Sequence, residues 1–317
     1  MCATRVNICR IESSDSVYEI FKSNILGAGA YSIVYLGRCI SKNIKRSDGL
    51  VAIKKIDINK VTINKAKKIS AEISVIEQMM NYDHENIVSY YDIIYDDNVI
   101  YIIMEYCQNS DLSSLLIGIP MKEIYVKYYF SQVINAMKFI NNNEIIHRDI
   151  KPKNLLLSNN RKTLKLCDFG LAKNIKGLPR VVTMCGSPLY MAPEIYGNDG
   201  YTTSVDVWSL GIILFEMLFG FHPLEKYNDI VTLTHHIRTI DIVIPNNILN
   251  ISNECINLLT RMLKRNECDR IKLEDLFEHT WITQVCNIDE IEDIYMSIDV
   301  KFGETFQSKQ DIMIQFE

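Results

Sequence analysis

The sequence predicts an α+β protein of two lobes, a small β-rich one followed by a larger, mostly helical one. Up to Tyr106 apolar residues fall in short alternating runs, the spacing of strands; beyond it they recur at three and four residues, the spacing of helices. At 317 residues the chain is long enough to build two cores. A hydrophobic fraction of 48% with 23% charged residues is that of an ordinary globular protein.

Taken in order, residues 1–19 read as a short N-terminal extension. In the small lobe, residues 20–106, the runs Ile33–Leu36, Leu50–Ile53 and Val99–Met104, bounded by Gly, Asn and Asp, predict strands. One helix interrupts them near Lys65–Met80, where Ile69, Ile73, Ile76 and Met80 share a face. The large lobe, residues 107–285, opens with a periodic helix over Met121–Asn142. Two short strands follow, then helices over Val205–Phe219, Asn253–Leu263 and Leu273–His279. The run Val205–Phe221 is the most apolar, but it carries Asp206 and Glu216 and is short for a membrane span, which predicts a buried helix. Residues 286–317 form an acidic extension with no motif, and no internal repeat is present.

The bulk properties bear on location and partners. A net charge of −5 gives no electrostatic reason to expect nucleic acid. The nine cysteines are scattered with no C-x-x-C pair, as expected of reduced thiols in the cytoplasm. No secretory or myristoylation signal and no membrane anchor are expected from the N-terminal residues. Ile, Asn and Lys are abundant, the usage of A/T-rich coding DNA such as that of some protists and large DNA viruses. The pair His235-His236 lies on a polar helical stretch with no acid or cysteine at metal spacing.

The chemistry is concentrated in two runs. His147-Arg148-Asp149-Ile150-Lys151-Pro152-Lys153-Asn154 is followed by Asp168-Phe169-Gly170, 19 residues from Asp to Asp. Phosphoryl transfer needs such a set: an acid to orient a hydroxyl, a cation near the moving phosphate and hard oxygen ligands for Mg²⁺. Asp149 is the candidate acid, Lys151 the cation, and Asn154 and Asp168 the metal ligands. His147 and Phe169 read as packing residues. Upstream, Gly27-Ala28-Gly29-Ala30-Tyr31-Ser32 lies between two predicted strands, where glycines let the backbone approach phosphates. An ordinary glycine hairpin reads the same way. Lys54, ending Val51-Ala52-Ile53-Lys54, is a candidate phosphate ligand or a snorkelling edge lysine. Glu72 and Glu77 on the neighbouring helix are its possible partners, and Lys54–Glu72 is the predicted ion pair.

Together these motifs resemble the eukaryotic protein kinases over roughly residues 20–285. Met191-Ala192-Pro193-Glu194, Asp206-Val207-Trp208-Ser209-Leu210-Gly211 and Arg270 extend the resemblance. It implies a bilobal protein-kinase fold, with ATP and Mg²⁺ in a cleft between the lobes and protein substrates. Asp206 would hold the catalytic-loop backbone, Arg270 would pair with Glu194, and Ser187 would bond to Asp149 and Lys151. Lys151 within H-R-D-x-K-P-x-N is the serine/threonine form. Met104 would be the gatekeeper, and Glu105 and Cys107 would supply hinge hydrogen bonds. Val34, Ala52 and Leu156 would sandwich the adenine, with Leu26, Gly27, Ala28, Gly29, Ala30 and Asp111 completing the nucleotide contacts. Thr183, eleven residues before Glu194, stands where related kinases carry an activating phosphothreonine. Arg148 and Lys173 would face that phosphate, added by an upstream kinase or by a second copy.

Finer features resemble the autophagy-initiating, ULK-like kinases: His84-Glu85-Asn86-Ile87-Val88, Met104-Glu105-Tyr106-Cys107 and Cys185-Gly186-Ser187-Pro188-Leu189-Tyr190. In the family a residue such as Leu171 goes with serine acceptors. Lys153 stands where arginine-directed kinases carry a glutamate, and Pro188-Leu189 implies an apolar pocket beside the acceptor. Two other classes share the fold, a pseudokinase binding module and a small-molecule kinase. Against the first stands the complete set Lys54, Asp149, Asn154 and Asp168; against the second, the A-P-E segment and the D-x-W-S-x-G helix.

Overall fold

Alternation in the first hundred residues becomes a six-stranded antiparallel sheet in the computed structural model. That model describes residues 8–29, 31–41, 48–158, 161–227, 229–245 and 251–284. Ala30, the first seven residues and the acidic extension lie outside the described residues. The chain divides into two compact units, Met1–Gln108 and Asn109–Glu317.

The first unit holds strands β1 (Ile8–Glu12), β2 (Val17–Ala28), β3 (Ser32–Cys39), β4 (Leu50–Asp57), β5 (Tyr90–Asp96) and β6 (Val99–Glu105), in the order β1-β2-β3-β4-β6-β5. Helix α1 (Ile63–Met79) connects β4 to β5 and buries Ile69, Ile73, Val75, Ile76 and Met79. Alternation gives the sheet two distinct faces. On one, Val51, Ile53, Tyr101 and Ile103 pack with Ile11, Tyr18, Ile20, Cys39 and Ile94 into a core. On the other lie Val34, Ala52, Lys54 and Met104, for Val34 pairs with Lys54 and Ala52 with Met104. Gly37 on β3 permits the close spacing, since a Cβ there would lie 2.6 Å from the Glu19 carbonyl oxygen and overlap the Ile53 side chain.

The segment read as an extension is in part a strand. β1 pairs Ile8–Glu12 with Val17–Phe21 and buries Ile11 to 6% exposure. The polar run Ser13-Ser14-Asp15-Ser16 looks like a linker in sequence, and Ile8, facing solvent, blurs the alternation of Cys9 and Ile11.

The second unit contains α2 (Glu123–Asn142), β7 (Ile145–Ile146), β8 (Leu155–Ser158), β9 (Thr163–Leu166), β10 (Lys173–Asn174), α3 (Ser204–Phe219), α4 (Ile230–Thr239), α5 (Asn253–Met262), α6 (Leu273–Phe277) and α7 (Thr280–Thr283). The short strands form the pairs β8–β9 and β7–β10. Helix α3 is the apolar run predicted to be buried, and every residue from Val205 to Phe215 is buried. Each of its large side chains contributes roughly 1.5–3 kcal/mol by leaving water. The helix expected over Leu273–His279 stops at Phe277 instead. His279 caps the next helix, its ring accepting from the Trp281 N–H. Glu123 on α2 ties this end down, accepting from Trp281 Nε1 at 2.6 Å and the Ser252 N–H at 2.7 Å. Among the described residues no helix is long and apolar enough to cross a membrane. The seven described cysteines are unbridged thiols.

Candidate active site

The loop His147–Asn154 lies between β7 and β8, and a buried carboxylate holds its backbone. Asp206, in the first turn of α3 and 1% exposed, accepts the N–H of His147 at 2.9 Å and that of Arg148 at 2.8 Å, one on each oxygen. Burial pushes its carboxyl up, while His147 and Arg148 favour the charged form. Arg148 itself sits at φ 68°, in the left-handed region that an arginine rarely adopts. This strain belongs to a turn fixed from below by Asp206.

The turn presents Asp149. One carboxylate oxygen accepts the Ser187 N–H at 3.0 Å and hydroxyl at 2.8 Å. The other accepts Lys151 Nζ at 2.7 Å and Asn154 Nδ2 at 3.2 Å. Lys151 Nζ also donates to Ser187 Oγ at 2.8 Å. Asn154 Nδ2 donates to the Asp149 carbonyl at 2.8 Å, which commits its NH₂ side and turns its carbonyl oxygen to other use. Cys167 N donates to the Asn154 carbonyl at 2.9 Å, bringing the backbone before Asp168 alongside Asn154. Asp168, at φ 60°, accepts from the Gly170 N–H at 3.3 Å. An amide oxygen and a carboxylate held this way fit a hard cation such as Mg²⁺, which takes few protein ligands and keeps positions for water and phosphate. Phe169 is fully buried with its ring 5.2 Å from that of His147, the packing role expected of both.

The segment after Gly170 is tied to the same unit at several points. Arg270 makes a two-pronged ion pair with Glu194, at 2.6 and 3.0 Å, with its guanidinium 5.2 Å from the Trp208 ring. Thr183 is exposed, and its carbonyl accepts the Tyr201 hydroxyl at 2.6 Å. Arg148 donates to that same hydroxyl at 3.3 Å and to the Leu171 carbonyl at 2.6 Å. The Tyr201 hydroxyl thus links Arg148 to the backbone carbonyl of Thr183. Arg180 reaches Glu267 at 2.5 Å. Neither Tyr201 nor the pair Arg180 and Glu267 carries a signal in the sequence, because each bond joins residues remote in the chain.

In the first unit Lys54 Nζ lies 2.6 Å from Glu72 Oε1, with Glu72 buried and Glu77 exposed, so Glu72 is the partner. Gly27 pairs with Val34 and Ala28 with Ile33, and the Gly29 N–H closes the turn on the Ser32 carbonyl at 2.8 Å. Leu26 is exposed on β2. Glu105 donates its N–H to the Ser89 carbonyl at 2.8 Å and accepts the Ser89 N–H on its carboxylate, while Cys107 is half-buried. In the second unit Asp111 and Leu156 meet in an isolated β-bridge. The Asp111 side chain caps the 3₁₀ turn Leu112–Leu115, accepting from the Ser113 N–H at 2.9 Å.

Comparison with known proteins places this arrangement. The serine/threonine-protein kinase unc-51 of Caenorhabditis elegans is 35% identical over 277 residues, covering 84% of this chain and 32% of that protein. Serine/threonine-protein kinase atg1 of Dictyostelium discoideum is 36% identical over 266 residues, 81% of this chain and 38% of that one. A putative serine/threonine-protein kinase of Acanthamoeba polyphaga mimivirus is 37% identical over 300 residues, 86% and 64% respectively. The chain spans well under half the length of the first two relatives. The family description "protein kinase domain" matches residues 20–282, and the chain belongs to that family.

Proposed function

We propose that this chain is a serine/threonine protein kinase that moves the γ-phosphoryl group of ATP to a hydroxyl of a protein substrate. The observation that carries the reading is the set of bonds around Asp149: a carboxylate with Lys151 Nζ on one oxygen and a serine hydroxyl on the other. An acceptor serine or threonine takes up a hydroxyl position of the same kind. Its oxygen bonds to the γ-phosphorus as the bond to the bridging β–γ oxygen breaks, ADP leaves, and the hydroxyl proton passes to Asp149. Lys151 neutralises charge on the transferring group. Lys54, fixed by Glu72, binds the phosphates of ATP, and Val34, Ala52, Met104, Glu105, Cys107 and Leu156 receive the adenine. Asn154 and Asp168 are the residues that would hold Mg²⁺, which supplies charge neutralisation on the phosphate oxygens when bound.

Thr183 is the proposed regulatory phosphosite, supported by its exposure and by the Tyr201 hydroxyl that joins its carbonyl to Arg148. An upstream kinase or a second copy would add the phosphate. Leu171 and Lys153 favour serine acceptors without arginine close before them, since Lys153 repels such a charge. The unbridged thiols suit the cytoplasm.

The test is incubation with Mg-ATP and casein beside an Asp149→Ala control. Loss of the carboxylate should lower the rate of phosphate incorporation by about 10²–10⁴-fold. Equal incorporation by the control would remove the assignment.

A further inference from the structure

The segment after Gly170, which the kinase reading makes the activation segment, is fastened by a clasp that no motif announces. Arg180 donates Nε to the Asp199 carbonyl at 2.9 Å and Nη2 to the Gly200 carbonyl at 2.5 Å, and it pairs with Glu267 Oε2 at 2.5 Å. The next residue, Val181, exchanges both backbone hydrogen bonds with Tyr201, at 2.9 and 2.8 Å, and both are buried. Gly200 makes the approach possible. It sits at φ 71°, and a Cβ there would lie 2.9 Å from the Val181 carbonyl oxygen.

Glu267 ties this stretch to a second place. Its other oxygen accepts the hydroxyls of Thr202 at 2.6 Å and Ser204 at 2.7 Å, and Ser204 is the first residue of α3. Burial pushes the Glu267 carboxyl up, but these two hydroxyls and the Arg180 guanidinium outweigh it and hold the group below the usual carboxylate range. It is therefore charged at neutral pH. Two residues past Ser204 is Asp206, which holds the backbone of His147 and Arg148. One carboxylate thus joins the activation segment to the helix end that holds the catalytic turn.

We propose that Arg180 is a positioning residue for phosphoryl transfer, acting through Glu267 to seat the acceptor-facing stretch that carries Ser187. The assignment rests on the kinase reading above. An isolated surface ion pair does little, but here the guanidinium is held by two carbonyls as well as a carboxylate, and its partner is itself held by two hydroxyls. Release of Arg180 leaves the Val181–Tyr201 backbone pair and the Tyr201 hydroxyl as the remaining ties to this stretch, and loosens the run leading to Ser187. It leaves Lys54 and Glu72, on the other unit, untouched. The cost therefore falls on binding of the protein acceptor and not on binding of ATP.

The experiment compares the parent, Arg180→Ala, Arg180→Lys, Glu267→Gln, the double variant Arg180→Ala with Glu267→Gln, and Asp149→Ala, using Mg-ATP and casein. Arg180→Ala should raise the KM for casein about tenfold and leave the KM for ATP unchanged. Amide exchange at Val181 and Tyr201 should speed up in the same variant. Arg180→Lys, which keeps a charged donor at this position, should restore part of both. A purely structural role would lower the amount of active enzyme and shift neither KM. Parental casein KM and parental exchange in Arg180→Ala would overturn the proposal. So would an Arg180→Ala with Glu267→Gln double variant whose casein KM is raised by the full product of the two single-variant factors. Undiminished phosphate transfer by Asp149→Ala would instead sink the kinase reading, while the exchange measurement would still judge the clasp.

Discussion

A carboxylate that accepts from Ser187 N, Ser187 Oγ, Lys151 Nζ and Asn154 Nδ2 is fixed in position. Asp149 and Asp206 achieve this differently. The first gathers side chains from its own loop and the activation segment, whereas the second is buried and gathers backbone N–H groups. His222 shows what burial does to a group that gathers too little. It is 5% exposed, accepts the Leu224 N–H at 3.0 Å and lies edge-to-face on Tyr190. Burial pushes its pKa down from 6.5 to about 4. Between those two values only the unfolded chain takes up the proton, so stability should fall as pH drops from 6.5 to 4. At most about 3 kcal/mol is at stake from this one group. A His222→Gln variant should show a shallower loss in urea unfolding across that range, and an identical slope would disprove the assignment. The residues of the two central runs were legible because their spacing is local. Tyr201 and Arg180 were not, since their bonds reach across 18 and 87 residues.

Elements were legible wherever their apolar period ran long. Helices α1, α2, α3 and α5 fall within two residues of their expected limits. The helix expected through His279 failed at its end because histidine can cap a new helix as readily as finish an old one, and composition does not distinguish the two. Strand β3 carries a constraint that no periodicity reveals. Gly37→Ala places a methyl against the Glu19 carbonyl oxygen at 2.6 Å and against Ile53. Backbone oxygen cannot give way as a side chain can, so the substitution should cost about 1–3 kcal/mol. Denaturant unfolding would measure it, and a parental midpoint would contradict the close strand spacing.

At the scale of the whole molecule, the division into a β-rich unit and a helical one follows from the change of period near Tyr106, and the structure sets the boundary at Gln108. What the sequence hid is β1. The kinase resemblance could not supply it either, because the matched family segment begins at residue 20. Ile11 joins the core of the first unit beside Tyr18, Ile94 and Tyr101. Truncation by Ile11→Ala should destabilise the chain by about 2–4 kcal/mol. Thermal melting would record it, and an unchanged Tm would mean that β1 adds nothing to that core.

Strand β2 has a consequence that is mechanical. Tyr18, Glu19 and Ile20 are paired on both sides, with β1 and with β3, while Gly27 and Ala28 pair with β3 alone beyond two shifts of register. The strand is a cantilever, clamped at the root and irregular at mid-span, with Gly27 at the tip. Load at the tip of such a beam falls on the singly paired span, while the doubly paired root keeps the rest of the sheet in register.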